Sequence, residues 1–133
     1  MSQRILVDLL GFTGARGGTE TYARELLPRV AAAIPDVQFA AITGRSGAER
    51  VAEFFPGRIH RVNWVGADPA SWAAGAVLAT NTLARRNSAD LVWAPANFGP
   101  IRHGVPRVVT VHDAIYDEVP GSLRDRAQRT ATA

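Results

Sequence analysis

The chain of 133 residues contains neither cysteine nor lysine. Without cysteine it can form no disulfide framework, no thiolate nucleophile and no cysteine-based metal site. All 15 basic residues are therefore arginine, and they are scattered along the chain rather than gathered in a stripe. A codon bias toward arginine explains this excess more simply than phosphate binding does. With a net charge of only +3, the scattered arginines argue against nucleic acid as a partner.

Long uninterrupted hydrophobic runs are also missing. The most apolar later stretch, residues 73–83, is interrupted by Thr80, Asn81 and Thr82 and is shorter than the roughly 20 residues that span a bilayer. The amino terminus starts almost at once with the apolar run 5–10 and lacks the basic segment, longer apolar core and cleavage site of a signal peptide. We therefore expect a soluble, cytoplasmic protein, and the length suits one domain.

Apolar runs alternate with helical patterns along the chain. The strand candidates are residues 5–10, 37–43, 59–65, 91–94 and 108–112. The helix candidates are residues 19–34 with Thr19 as N-cap and Pro28 inside, 49–55, 69–86 starting near Asp68, and a fourth that begins near residue 122. Such alternation predicts a parallel sheet with right-handed crossovers. The expected fold is α/β, a Rossmann-like doubly wound parallel sheet of about five strands, with the first, fourth and fifth strands adjacent at its centre.

A glycine-rich segment joins the first strand to the first helix. Gly11, Gly14, Gly17 and Gly18 fall there, and glycines allow a tight turn and a close approach of backbone N–H groups to a ligand. The segment has neither the Gly-Lys-Ser/Thr of a P-loop nor the Gly-x-Gly-x-x-Gly spacing of a dinucleotide site. A loose surface turn would also tolerate these glycines, so the segment alone is a weak signal.

A His-Asp pair closes the fifth predicted strand. His112 ends the apolar run, Asp113 begins the next loop, and Asn97 stands just past the fourth strand. Because ligands bind outside the carboxyl ends of parallel strands, these residues and the glycine segment should face one crevice. A neutral imidazole there suits a hydroxyl-bearing substrate. No Gly-x-Ser-x-Gly elbow supports a hydrolase, and the three histidines share no metal-ligand spacing.

Three other side chains could bind a ligand or serve only the structure. Arg45 follows the second strand, where an arginine can take the 2′-phosphate of NADP, although an exposed turn residue is the simpler interpretation. Trp64 and Trp93 are expected to be core aromatics rather than stacking platforms. An NADP-binding oxidoreductase thus stays open as an alternative, supported only by Arg45 and the glycines.

Taken in order, three blocks resemble the amino-terminal domain of a GT-B retaining glycosyltransferase of family 4, a group that includes mannosyl- and glucosyltransferases. The first block runs from Gly17-Gly18-Thr-Glu-Thr-Tyr to Glu-Leu-Leu-Pro28, the second is Asp90-Leu-Val-Trp-Ala-Pro95, and the third runs from Gly104-Val-Pro to Thr-Val-His-Asp113. Each block is unspecific, but their order along nearly the whole chain makes the combined match specific.

The resemblance implies roles for particular residues. Gly17 and Gly18 would lie against the donor phosphates or the reacting sugar, and His112 would hydrogen-bond the transferred sugar as the catalytic candidate. Asn97 would contact the acceptor side, and Asp113 stands beside His112 as a further substrate-binding candidate. The implied reaction is sugar transfer from a nucleotide-sugar donor to a hydroxyl acceptor, sugar or lipid-linked, with retention. No cofactor and no metal are expected, because the nucleotide-sugar is a substrate.

The chain departs from that family in extent. The family's donor-binding, carboxy-terminal domain is absent from residues 1–133, and we expect the chain to be an incomplete, acceptor-side domain. Alone it should be inactive, bind nucleotide-sugars weakly or not at all, and self-associate. A non-catalytic sugar- or nucleotide-binding module is a further alternative. Whether a lipid-linked acceptor draws the parent protein to the inner face of the membrane stays open.

Overall fold

The computed structural model describes residues 2–14, 17–95 and 104–112. The described strands are β1 (Arg4–Leu9), β2 (Gln38–Gly44), β3 (Arg58–Val62), β4 (Leu91–Ala94) and β5 (Arg107–Val109). The described helices are α1 (Gly17–Ala33), α2 (Ala48–Ala52), α3 (Pro69–Leu78) and α4 (Thr80–Arg86). Strands and helices therefore alternate as the hydrophobic pattern predicts.

The strands form one parallel sheet in the order β3-β2-β1-β4-β5. β1 pairs with β2 on one side and with β4 on the other, and each further pairing is parallel as well. This order is that of a Rossmann-like fold, so the predicted fold class is confirmed. β1, β4 and β5 are adjacent as predicted, but β5 is an edge strand of the described sheet rather than a central one.

Two apolar clusters cover the two faces of the sheet. Alternate residues of β1 point to opposite faces, so Val7 and Leu9 join one cluster while Leu6 joins the other. The cluster with Val7 and Leu9 packs under α1 and α2, where Leu27 and Val51 are buried. The cluster with Leu6 packs under α3 and α4, where Trp72 and Ala76 are buried. Helices on both faces make the sheet doubly wound.

α1 contains Pro28 as predicted, and the ring removes one backbone hydrogen bond without ending the helix. The helix boundaries depart from the sequence prediction at three places. α1 begins at Gly17, so Thr19 is a helical residue and not the N-cap. α2 ends at Ala52 and not at residue 55. The predicted helix 69–86 is two helices that meet at Ala79. At that junction the buried Thr80 hydroxyl bonds the carboxylate of Asp8, and Thr80 and Asn81 are weak helix formers.

The start of α3 agrees with the sequence prediction. Asp68 is the N-cap, and its carboxylate accepts the Ser71 backbone N–H at 2.8 Å. The hydrogen bonds from Ser71 lower the pKa of Asp68, and the bond from the Ser71 backbone N–H has the largest effect. Asp68 is thus held as an exposed carboxylate beside the carboxyl edge of the sheet.

Two other sequence predictions concern a helix at the end of the chain and the absence of a membrane-spanning segment. The helix predicted to start near residue 122 lies outside the described residues. Among residues 2–14, 17–95 and 104–112, no helix combines the length and apolarity needed to cross a membrane.

Candidate functional site

The carboxyl ends of β1 and β4 lie side by side at the centre of the sheet. From β1 the chain passes to β2 on one side, whereas β4 and β5 extend the sheet on the other. The strand order therefore reverses between β1 and β4, which is where open α/β sheets bind ligands. The glycine segment follows β1, so it lies at this position.

Two of the segment's glycines are required by the structure itself. A Cβ on Gly11 would come within 2.5 Å of the Trp72 ring. Gly14 has φ of +83°, and a Cβ there would lie 2.9 Å from Cγ of Arg50. Packing and backbone conformation account for glycine at both positions.

Gly17 and Gly18 have no such structural reason. Both are exposed at the amino terminus of α1, and within the part of the chain that the structure describes a Cβ on either would meet no atom closer than 4 Å. Glycine inside a helix costs roughly 1 kcal/mol relative to alanine. Two successive glycines therefore weaken the start of α1, and among the described residues the space that a Cβ would enter at either position is open, as a closely approaching ligand would require.

Glu20 fixes the segment to the helix. Its carboxylate is buried and accepts the Thr13 backbone N–H at 2.7 Å. A buried carboxylate in the first turn is stabilised by the helix dipole and by this charge-assisted bond. The bond ties the chain before the glycines to the first turn after them, and so limits how far Gly17 and Gly18 can move.

His112 lies beyond the carboxyl end of β5, which ends at Val109, so it is at the predicted edge of the sheet but does not close the strand as predicted. Its Nε2 is 2.7 Å from the carbonyl oxygen of Pro95, the residue that follows β4. A carbonyl oxygen only accepts, so Nε2 donates this hydrogen bond. The main chain just after β4 thereby fixes the direction of the imidazole.

Tyr22 connects His112 to the glycine end of α1. The two rings meet edge to face, with centroids 4.6 Å apart. Tyr22 is one helical turn after Gly18, so the two residues share a face of α1. The structure thus brings Gly17, Gly18 and His112 to one region, whereas Asn97 and Asp113 lie outside the described residues. Tyr22 was not predicted to be a site residue, although it stands in the Gly-Gly-Thr-Glu-Thr-Tyr run of the first block.

A buried carboxyl group lies under the same edge. Asp8 of β1 accepts the Leu10 backbone N–H and the Thr80 hydroxyl, each at 3.1 Å. Burial raises the pKa of Asp8 from 3.8 to about 6, against the smaller opposing effect of these two bonds. Sequence analysis missed Asp8 too, although an acidic residue inside the apolar run 5–10 is itself a signal.

Arg45 is exposed at the end of β2, as expected of a turn residue. Its Nη1 donates to the Asn63 carbonyl oxygen at 3.2 Å, and the positive charge of Arg45 contributes to the lowered pKa of Asp68. A carboxylate this close opposes a bound 2′-phosphate. The structure therefore lends the NADP alternative no further support at this position.

The two tryptophans have different environments. Trp93 is half-buried, packs against the α1–α2 cluster and donates its indole N–H to Thr110 at 3.0 Å. Trp64, in contrast, is 49% exposed. The expectation that both are core aromatics is therefore wrong for Trp64, because the loop after β3 turns Val65 instead into the core.

Within the part of the chain that the structure describes, no three histidine or acidic side chains are grouped as a metal ion would require.

Comparison with protein-family models, with curated proteins and with solved structures finds no match. The site must therefore be interpreted from its own geometry and chemistry.

Proposed function

We propose that this chain is the acceptor-side domain of a retaining glycosyltransferase that moves a sugar from a nucleotide-sugar donor to a hydroxyl acceptor. The observation that carries the proposal is the pair Gly17 and Gly18. They lie at the strand-order reversal, and no contact with the described residues requires glycine at either position. His112, which contacts α1 one turn further on, supplies an oriented imidazole beside them.

The chemistry follows from these groups. Backbone N–H groups at the start of α1 would stabilise negative charge that develops on the leaving phosphate or on a sugar oxygen. The imidazole of His112, held by Pro95, would hydrogen-bond a hydroxyl of the transferred sugar. Cations that complete the donor site would come from a second domain, and closure of the two domains would exclude water. The reaction would take place in the cytoplasm without a metal or another cofactor.

Two alternatives compete with the proposal. An NADP-binding oxidoreductase would need Arg45 to hold a phosphate, although the guanidinium already bonds the Asn63 carbonyl oxygen. A non-catalytic sugar- or nucleotide-binding module would use the same glycines and would differ only in turnover.

An NMR titration of the 133-residue chain separates these functions. We expect UDP- or GDP-sugars to bind weakly to this half-site and to shift the backbone amide signals of Gly17 and Gly18. The Gly17→Ala variant should lose this response, since a methyl group would fill the open space. The control variant is Ala52→Ser, at an exposed position. Gly57→Ser is not suitable as a control, because a Cβ at Gly57 would clash with the Phe39 carbonyl oxygen. Tight binding of NADPH would overturn the proposal.

A further inference from the structure

A second group of exposed side chains lies at the carboxyl edge, away from His112. Trp64 is in the loop that joins β3 to α3, and it is 49% exposed. Arg45 and Asp68, both exposed, flank the same loop. We name Arg45, Trp64 and Asp68 the β3 loop cluster.

The loop that carries this cluster is firmly held. Val65 is fully buried, and its carbonyl oxygen accepts the Arg45 backbone N–H at 2.9 Å. The Gly66 backbone N–H donates to the Ser71 hydroxyl at 2.9 Å. These bonds on both sides of the loop place Trp64 between two anchored segments. The indole is therefore presented to solvent by a fixed backbone and not by a loose one.

Opposite charges meet at Gly66. A Cβ on Gly66 would lie 2.7 Å from Nη2 of Arg45 and 3.1 Å from Oδ1 of Asp68. Each charged group also has a fixed direction, because Arg45 bonds the Asn63 carbonyl oxygen and Asp68 bonds Ser71. Donor and acceptor atoms thus stand together, two residues from the exposed indole.

This combination selects a chemical class of ligand. A single exposed aromatic residue is common and requires no explanation. Arg45 bonds the carbonyl oxygen of Asn63, the residue before Trp64, and Asp68 is four residues after Trp64, so one short segment carries an exposed indole, a fixed donor and a fixed acceptor. Such a set suits a molecule with an apolar ring face and hydroxyl groups that both donate and accept. An anion would meet the Asp68 carboxylate and a cation the Arg45 guanidinium, so the matched charges favour a neutral ligand.

We propose that the β3 loop cluster is a subsite for a neutral carbohydrate ring, with the sugar stacked on Trp64 and its hydroxyls bonded to Arg45 and Asp68. Only one part of this inference rests on the proposed function, namely that the bound sugar is the acceptor of the transfer. β3 is two strands from β1, about 10 Å at the usual strand spacing. An acceptor of more than one sugar unit would reach from the cluster to the reaction centre.

The test is a titration of the intact chain with maltotriose and mannotriose, followed by two NMR signals, the Trp64 indole N–H and the Gly66 backbone amide, of which the second is present in every variant. We expect at least one sugar to shift both signals of the wild type at millimolar concentration. Trp64→Ala should weaken binding about tenfold or more. Asp68→Asn, in which the amide oxygen can still cap α3, should weaken it less. Leu78→Ala, which shortens another exposed apolar side chain, should leave binding unchanged.

The outcomes separate the subsite from the transferase proposal. The subsite is wrong if neither sugar shifts the indole signal, if Trp64→Ala binds like the wild type, or if the signal responds only to protein concentration, which would indicate self-association. Nucleotide-sugar shifts at Gly17 that persist without a sugar effect at Trp64 would reject the subsite alone. Sugar binding at Trp64 in a complete protein without transferase activity would support the subsite and favour the non-catalytic module.

Discussion

The buried carboxyl group of Asp8 makes the free energy of unfolding depend on pH, and the direction of that dependence follows from its raised pKa. Burial raises its pKa in the folded state to about 6, compared with 3.8 for the ordinary side chain. Folding therefore favours the protonated form. This stabilisation is fully present below about pH 3.8 and is lost as the pH rises through about 6. At 1.36 kcal/mol per unit of pKa difference, the ionised group costs the folded state about 3 kcal/mol near neutral pH.

Asp8→Asn tests this reasoning, because the amide has the same shape and no charge. Its oxygen can accept the Leu10 N–H, and the Thr80 hydroxyl can turn to accept from the new NH₂ group. Allowing about 1 kcal/mol for a second amide hydrogen that is poorly bonded, we expect the variant to gain about 2 kcal/mol of unfolding free energy near neutral pH. The gain should vanish and reverse slightly toward pH 4, where the wild-type carboxyl is protonated.

The assay is urea unfolding of both proteins at several pH values. Asp36→Asn is the matched control, since it removes one carboxylate at an exposed position and should not reproduce the pH-dependent gain. The reasoning is refuted if Asp8→Asn is no more stable than the wild type near neutral pH, or if the stability difference between the two does not change with pH.

Three further predictions concern the glycine segment, the core and the isolated chain. Gly14→Ala should lose about 1–2 kcal/mol of unfolding free energy because its φ is +83°, whereas Gly17→Ala should keep or slightly raise stability; equal losses in urea would contradict this contrast. Leu27→Ala should cost about 2–5 kcal/mol, since Leu27 is 1% exposed, and a smaller loss would show a loosely packed face. The purified 133-residue chain should transfer no sugar and should self-associate, as the exposed Val108, Val109 and Val111 favour; transfer by a monomeric sample, checked by light scattering, would disprove this.

The sheet was predictable from the sequence because its signal is local. Strands covered on both faces are continuous apolar runs, and residues 5–10 and 91–94 show this pattern. The junction at Ala79 was missed although Thr80 and Asn81 are weak helix formers. The bond from Thr80 to Asp8 spans 72 residues of the chain, and such a contact leaves no local pattern.

The candidate site was predictable only in outline. The position of His112 follows from the rule that parallel strands end at one edge, but its bond to Pro95 requires the sheet to be assembled. Trp64 was placed wrongly because hydrophobicity alone cannot tell which of two neighbours, Trp64 or Val65, turns into the core. The distinction between Gly14, which the backbone needs, and Gly17, which it does not, also became visible only in three dimensions.

The most direct test of the central proposal is turnover by the complete protein to which this chain would belong. Donor consumption and the anomeric configuration of the product are measured by NMR with UDP- and GDP-sugars, for the wild type, His112→Ala and the control His60→Ala on β3. We predict retained configuration, a roughly 10²–10⁴-fold loss of turnover in His112→Ala and near-normal turnover in His60→Ala. Wild-type turnover in His112→Ala, or oxidation of NADPH without any sugar transfer, would contradict the proposal.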